Sequence, residues 1–174
     1  MPRVTPIEAE NASTEIQPLV QRIFRERGSL LMLYKVLLNS GSVAHGWLTF
    51  LTAIRQECDL SPKLRELVIL RVAVLNQAPY EFTAHVPYAL NARVPEAWIE
   101  VLNRGAIPDD TNELERAVLA YAERMTRDIS VPESDFAAIR KQLNDQHIVE
   151  LTATIAAYNM VSRFLIALSI HEEH

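Results

Sequence analysis

The chain has 174 residues, of which 49% are apolar and 22% are charged, a composition typical of one soluble globular domain that buries a sizeable core. Its net charge of −5 and the lack of a basic stripe argue against a nucleic-acid-binding protein. The most apolar long segment, Ile148 to Ile170, is interrupted by polar and charged residues, and the N-terminus lacks the apolar run of a secretory signal, so we predict a cytoplasmic protein without a membrane span.

Helical periodicity runs through almost the whole sequence and is interrupted by only four glycines, which predicts an all-α protein. We expect residues 1–13 to form a loose N-terminal arm and residues 14–174 to form a single all-helical domain. Helices are predicted, in chain order, over residues 14–27, 29–40, 43–58, 62–76, 79–91, 95–104, 110–128, 132–143 and 146–170.

Proline and capping residues mark several of these helix boundaries. Ser61 followed by Pro62 predicts a helix start, with a capping hydroxyl and then proline at the first helical position. Asp110 and Glu113 predict a capping box at the start of a later helix. Pro87 lies inside a predicted helix, where it removes one backbone hydrogen bond and is expected to kink the chain.

The stretch from Ala78 to His85, which reads APYEFTAH, is the most informative segment of the chain. It follows a strongly apolar predicted helix that carries two isolated charges, Glu66 and Arg71. Glu81 and His85 are four residues apart, so a helix places a carboxylate and an imidazole on one face about one turn apart. Because histidine titrates near neutral pH, this pair predicts a site that binds and moves protons.

This segment is also part of a family signature. The signature consists of the run 64–73, then Tyr80, Glu81 and His85, and finally the C-terminal runs 149–151, 158–160 and 163–165. These residues resemble the carboxymuconolactone decarboxylase and alkyl hydroperoxidase D-like superfamily. The resemblance implies an alkyl hydroperoxidase D-like helical bundle with a helix-hairpin core. It also implies a homo-oligomer, a trimer or a hexamer, with a dimer left open. The long apolar last helix fits burial against a second subunit, the alternative being the central helix of a monomer.

The redox chemistry of the resembled superfamily does not fit this site. Its peroxidase branch uses two cysteines three residues apart, followed by a histidine four residues after the second. Those cysteine positions are Ala78 and Glu81 here, and neither side chain can form a sulfenate or a disulfide. A dithiol mechanism is therefore excluded at this site. The single cysteine, Cys58, is interpreted as an incidental residue.

By the same resemblance, His85 falls on the functional histidine and is the candidate general acid or base. Its alternative is a half-buried histidine that is hydrogen-bonded to a backbone carbonyl. Glu81 takes the position of the second redox cysteine, where the decarboxylase branch has glutamate. It would orient His85 or carry a second proton, unless it is a solvent-facing carboxylate favoured by the helix dipole.

Glu66 matches the superfamily's upstream carboxylate, which relays protons to the histidine. In a simple hairpin that turns at Ala78, however, Glu66 and His85 are offset by roughly 8 Å along the helix axis. The alternative is a structural buried pair between Glu66 and Arg71, because an arginine in so apolar a helix needs an anion.

Other residues are weaker candidates for binding a substrate. Tyr80 could donate a hydrogen bond to a substrate oxygen, although such a tyrosine is more often a packing residue with its hydroxyl at the rim. His45 and Trp47 could line the same pocket, with core packing as the alternative for Trp47. Asn159 and Arg163 could hold a substrate carboxylate or make a polar contact between helices or subunits. No set of residues, including the scattered C-terminal histidines, has metal-ligand spacing, so we predict no metal and no cofactor.

Three functions follow from these residues and the resemblance. The leading hypothesis is a cofactor-free acid–base enzyme, a lyase resembling carboxymuconolactone decarboxylase, that acts on a small carboxylated lactone or enolisable acid. The catalytic residues would be His85, Glu81 and Glu66. The second is peroxide reduction through Cys58 with an external thiol. The third is a non-catalytic oligomeric binding module that has lost the redox pair.

Overall fold

The computed structural model describes residues 1–171, in which no β-strand is present. A short 3₁₀ turn at Ala9–Asn11 precedes the helices, and a π-helical turn at Ala53–Glu57 follows α3. The helices are α1 (Gln17–Arg27), α2 (Met32–Leu37), α3 (Gly41–Thr52), α4 (Pro62–Leu75), α5 (Pro79–Asn91), α6 (Glu96–Asn103), α7 (Glu113–Arg127), α8 (Glu133–Arg140) and α9 (Asp145–Ala167). The predicted all-α class is confirmed for these residues.

The chain divides into two compact units, one made of residues 1–58 with residues from 165 on, and one made of residues 59–164. The single domain over residues 14–174 stays a prediction, and its last three residues lie outside the described part of the chain. In the described part, no helix has the length and apolar character needed to cross a membrane.

Residues 1–13, which were expected to form a loose arm, are hydrogen-bonded to other parts of the first unit. The backbone N–H of Arg3 donates to the carbonyl of Leu168 at 2.8 Å, and that of Ile7 donates to the carbonyl of Lys35 at 2.9 Å. These bonds link residues 1–13 to other parts of the same unit, so the arm follows a definite path there.

The second unit is built around α4, which packs against α5, α6 and α7. Residues 67–70 of α4 have no exposed surface, because the sequence offers no polar face that could be turned to water. Helix α4 ends at Leu75, and a tight turn with Gln77 in the left-handed region (φ 54°) leads into α5. Pro79 then occupies the first turn of α5, where its missing N–H costs no helical hydrogen bond.

Two of the predicted helix caps are wrong in detail. The capping box at α7 is formed by Asn112 and Glu115, whose side chains each accept a hydrogen bond from the other's backbone N–H. Asp110 instead accepts a hydrogen bond from the indole of Trp98 at 2.6 Å. Pro62 does begin α4, but the Ser61 side chain makes no capping hydrogen bond.

Candidate functional site

Helix α4 carries two charged side chains into the interior of the second unit. Glu66 and Arg71 are each only 3% exposed, although the residues around them are apolar. A buried charge is costly unless it is paired and hydrogen-bonded, so each of these side chains must have a specific partner. The partners determine which of the two takes part in a chemical site.

Glu66 is bound to His85, which reaches it from α5. The Nδ1 atom of His85 lies 2.7 Å from Oε2 of Glu66 in a buried hydrogen bond. The other ring nitrogen, Nε2, lies 3.1 Å from Oε1 of Glu81 as an ion-pair contact along α5. The remaining oxygen of Glu66 accepts a hydrogen bond from Nε of Arg65 at 3.3 Å. The structure thus places one imidazole between two carboxylates.

The helix ends explain why Glu66 and His85 meet despite the offset expected from the sequence. Residues 76–78 form the turn and advance along neither helix axis. Glu66 lies nine residues before the end of α4 at Leu75, and His85 lies six residues after the start of α5 at Pro79. The remaining offset of three residues is about 4.5 Å, which two long side chains can span.

The protonation states follow from burial and from these contacts. Burial alone would lower the pKa of His85, but its contacts with Glu66 and Glu81 outweigh burial and raise that pKa above 6.5. Burial would likewise raise the pKa of Glu66, but the hydrogen bond and charge of His85, followed by those of Arg65, hold that pKa below 4.5. Both pKa shifts therefore favour the form in which an imidazolium lies beside a carboxylate.

Two tyrosines contact the ring of His85. Tyr158, on α9, is 1% exposed and meets the imidazole edge-on, with the ring centroids 5.0 Å apart. Tyr88, one turn beyond His85 on α5, packs at 5.5 Å in a tilted arrangement and is 49% exposed. Tyr158 therefore supports the imidazole from the interior, whereas Tyr88 connects it with the protein surface.

Arg71 belongs to a different network. Its guanidinium donates to the backbone carbonyl of Gly105 at 2.7 Å and to the carboxylate of Glu123 at 2.6 Å. The alternative that Glu66 forms a structural pair with Arg71 is therefore wrong, because the two side chains have separate partners.

The predicted substrate-binding residues lie at several places. Tyr80 is half-buried on α5, next to Glu81 in the sequence. Trp47 and His45 both lie on α3 in the first unit, where Trp47 is buried and His45 is exposed. Nη1 of Arg22 lies 3.4 Å from Nε2 of His45. The assignment of Tyr80, Trp47 and His45 to a substrate pocket stays a prediction.

His45 also borders a half-open hollow of about 340 Å³ within the first unit. This hollow is lined by residues of α1 and α3 and by the two residues before α1, namely Glu15, Ile16, Pro18, Leu19, Arg22, Gly41 and His45.

The remaining polar candidates are Asn159, Arg163 and Cys58. The side-chain amide of Asn159 donates to Thr126 and accepts from Asn76, both at 3.0 Å, so it makes the polar contact between helices that was the alternative to substrate binding. Arg163 is exposed on α9. Cys58 is half-buried at the end of the π-helical turn.

Arg65, Tyr88 and Tyr158 were not predicted as members of the site. Local spacing could have indicated two of them, since Arg65 adjoins Glu66 and Tyr88 lies three residues after His85, on the same helix face. Tyr158 comes from a helix distant in sequence, so no local pattern places it beside the imidazole.

No group of three or more metal-ligating side chains is arranged to hold an ion within residues 1–171. The scattered C-terminal histidines include His147, His171 and His174, of which His174 lies outside the described residues.

The site lies within a segment of the chain that matches a known protein family. A model of the carboxymuconolactone decarboxylase family matches residues 42–124. This stretch includes α4 and α5 and therefore Glu66, Glu81 and His85, which we call the charged cluster. No curated protein matches the sequence significantly.

Several solved structures have a similar fold. A peroxidase-related protein from Ralstonia eutropha, described as an alkylhydroperoxidase AhpD core, gives a TM-score of 0.84 over 99% of this chain and 92% of its own, with 16% identity. A cysteine-to-alanine variant of the debrominase Bmp8, in complex with 2,3,4-tribromopyrrole, gives 0.81 over 98% and 91%, with 18% identity. A peroxidase-related protein from Silicibacter gives 0.77 over 93% and 86%, with 21% identity. At these identities the likeness establishes the alkyl hydroperoxidase D-like fold and nothing finer.

Proposed function

Since the chain belongs to the carboxymuconolactone decarboxylase and alkyl hydroperoxidase D-like superfamily, we propose that it is a cofactor-free acid–base enzyme acting on a small carboxylated lactone or enolisable acid. The observation that supports this proposal is the buried imidazole of His85 between the carboxylates of Glu66 and Glu81. Perturbed, mutually paired ionisable groups in the interior of a protein are frequent at catalytic sites.

The residues at the start of α5 favour proton transfer over redox chemistry. Ala78 and Glu81 stand where the superfamily's peroxidase branch has its cysteine pair, so this site has no thiolate that could attack a peroxide or a carbon–halogen bond. The buried histidine remains, and its two carboxylate neighbours can only accept, hold and release protons. The activities of the peroxidase-related and debrominase neighbours therefore do not transfer to this site.

The proposed reaction is a decarboxylation of the type that the family name describes. The bond between the ring carbon and its carboxylate breaks, carbon dioxide leaves, and the electron pair is delocalised into the lactone carbonyl as an enolate. One proton then forms the new C–H bond. The imidazolium of His85 supplies that proton from within the cluster, and a positioned donor of this kind contributes about 10²–10⁴-fold in rate.

The experiment is a decarboxylation assay with unsaturated γ-lactones that carry a ring carboxylate, followed by carbon dioxide release and proton NMR. Replacing His85→Gln should lower kcat by at least about 10²-fold while the circular dichroism spectrum stays native. His147→Gln is the matched control, because His147 lies at the start of α9 outside the cluster. Full activity of the His85→Gln variant would falsify the proposal.

We also propose that the protein works as a homo-oligomer. Val149 and Met160, eleven residues apart and hence on one face of α9, are 66% and 37% exposed. Exposed apolar side chains in a row along one helix face are expected to be covered by a second copy of the chain.

A further inference from the structure

Both nitrogens of the His85 ring are already engaged within the protein. Nδ1 is hydrogen-bonded to Glu66 at 2.7 Å, and Nε2 faces Glu81 at 3.1 Å. An imidazole has no other atom that can exchange a proton under ordinary conditions. In this arrangement a substrate cannot receive a proton directly from His85, so one of the two carboxylates must stand between them.

The two carboxylates are not equivalent. Glu66 is held at both oxygens, since His85 binds one and Arg65 binds the other. It also projects from α4 next to residues 67–70, which have no exposed surface. Movement of Glu66 toward a ligand would break two charge-assisted contacts, one to His85 and one to Arg65.

Glu81 is held more loosely. Its contact with Nε2 of His85 is an ion pair along one helix, and within residues 1–171 no other hydrogen bond or ion pair reaches it. It lies in the first turn of α5, where the backbone leaves the turn after α4. Both carboxylates are buried, but Glu81 is the one whose reorientation toward a ligand breaks a single contact and not two.

A proton can also reach Glu81 without a change in net charge. The ion pair between the His85 imidazolium and the Glu81 carboxylate becomes a neutral imidazole and a carboxylic acid when one proton crosses the 3.1 Å contact. Glu66 remains ionised beside Arg65 and keeps Nδ1–H of His85 in place. The cluster can therefore deliver a proton at Glu81 while its other end stays fixed.

We propose that Glu81 is the catalytic residue that exchanges the proton with the substrate, and that His85 and Glu66 are positioning residues that load and hold that proton. This inference rests on the proposed function and names the atoms within it. As the carbon–carboxylate bond breaks, its electron pair enters the carbonyl as an enolate, and the Glu81 proton forms the C–H bond. Glu81 regains a proton from Nε2 of His85, and His85 regains one from water.

The first test measures contact and needs no turnover. The protein is labelled with ¹³C at its glutamate side-chain carboxyls, and the signals are assigned by comparison with the Glu81→Gln and Glu66→Gln variants. A saturated γ-lactone whose carboxylate is on the ring carbon next to the ring oxygen, and which therefore cannot decarboxylate through an enolate, is then titrated in. We expect the Glu81 signal to shift clearly more than the Glu66 signal. A larger shift at Glu66, or no shift at either carboxyl, would overturn the assignment.

The second test measures kinetics on the unsaturated lactone acid. Glu81→Gln should lower kcat by about 10²–10⁴-fold, and Glu81→Asp should recover part of the rate because it retains an acid on a shorter side chain. Glu66→Gln should lose less, and the basic limb of its pH–rate profile should move to lower pH because His85 then holds its proton less firmly.

The outcomes separate this inference from the broader proposal. If Glu81→Gln stays active while His85→Gln is inactive, acid–base catalysis stands and the role of Glu81 is wrong. If the unmodified protein is inactive on every lactone acid, the proposed function fails, and the carboxyl titration still decides whether Glu81 is the group that a ligand meets.

Discussion

The contact between Glu66 and His85 should make a measurable contribution to stability. Glu66→Gln keeps the shape of the side chain and removes its charge, so it replaces a charge-assisted hydrogen bond by a neutral one. Hydrogen bonds to charged groups contribute about 1.5–3 kcal/mol and neutral ones about 0.5–1.5 kcal/mol, so the replacement should cost about 1–1.5 kcal/mol. At about 2–4 °C per kcal/mol for a chain of this size, the melting temperature should fall by about 2–6 °C.

The stability lost in Glu66→Gln should depend on pH, in a direction that follows from the pKa shifts of His85 and Glu66. The raised pKa of His85 means that its contribution is complete below 6.5 and disappears as the pH rises through the value in the folded protein. The lowered pKa of Glu66 means that its contribution is complete above 4.5 and disappears as the pH falls through its folded value. The effect of Glu66→Gln should therefore be largest between pH 4.5 and 6.5 and should shrink on either side.

The measurement is thermal unfolding followed by circular dichroism across and beyond this pH window. Arg124→Gln is a suitable control, because Arg124 pairs with Asp128 and Asp135 near the surface, and the loss of these exposed pairs should lower the midpoint only slightly and without the window between pH 4.5 and 6.5. A Glu66→Gln effect that is absent, or equal at all pH values, would show that the buried contact does not hold a proton between the two groups.

Three further predictions concern other parts of the molecule. Met160→Glu should shift the sedimentation coefficient toward that of a monomer, since it places a charge on the exposed apolar face of α9, and an unchanged coefficient would reject that face as the interface. Asn112→Ala should lower the free energy of unfolding by about 0.5–2 kcal/mol in urea titrations, because it removes the α7 cap, and an unchanged midpoint would contradict the capping box. Ser162→Ala should keep or raise the melting temperature, because the buried Ser162 hydroxyl has no hydrogen-bond partner among residues 1–171, and a marked decrease would contradict this.

The helices were largely predictable because their signals are local. Pro62 and Pro79 mark the starts of α4 and α5, and the apolar run between them predicts a buried helix. The errors arose where two local signals compete. Asp110 and Asn112 both precede a glutamate at capping-box spacing, and the indole of Trp98, twelve residues before Asp110, engages that carboxylate. Such a contact depends on how the loop folds back and is not visible in the spacing.

The pairing of Glu81 with His85 was predictable from the sequence, whereas the position of Glu66 beside them was not. The i, i+4 spacing of Glu81 and His85 places the two side chains on one helix face whatever the rest of the chain does. The meeting of Glu66 with His85 depends instead on where α4 ends and α5 begins, and an uncertainty of two residues in a helix end changes the expected offset by about 3 Å. The edge-on contact from Tyr158 comes from a distant helix and has no local signal at all.

The two buried charges of α4 should respond differently to mutation because of their partners. Arg71 binds a backbone carbonyl and Glu123, whose side chain is 30% exposed and can be hydrated when Arg71 is removed. Arg71→Met should therefore lower the melting temperature, because it removes one partner of a buried ion pair. It should leave kcat on the lactone acid within about twofold, because the partners of Arg71 are Gly105 and Glu123 and not His85 or its carboxylates. Glu66→Gln should lower kcat and alter the pH profile, because its partner is a titrating imidazole. If both variants lose activity in proportion to their loss of stability, then α4 supports the site only by packing, and the separation of a structural charge from a chemical one is wrong.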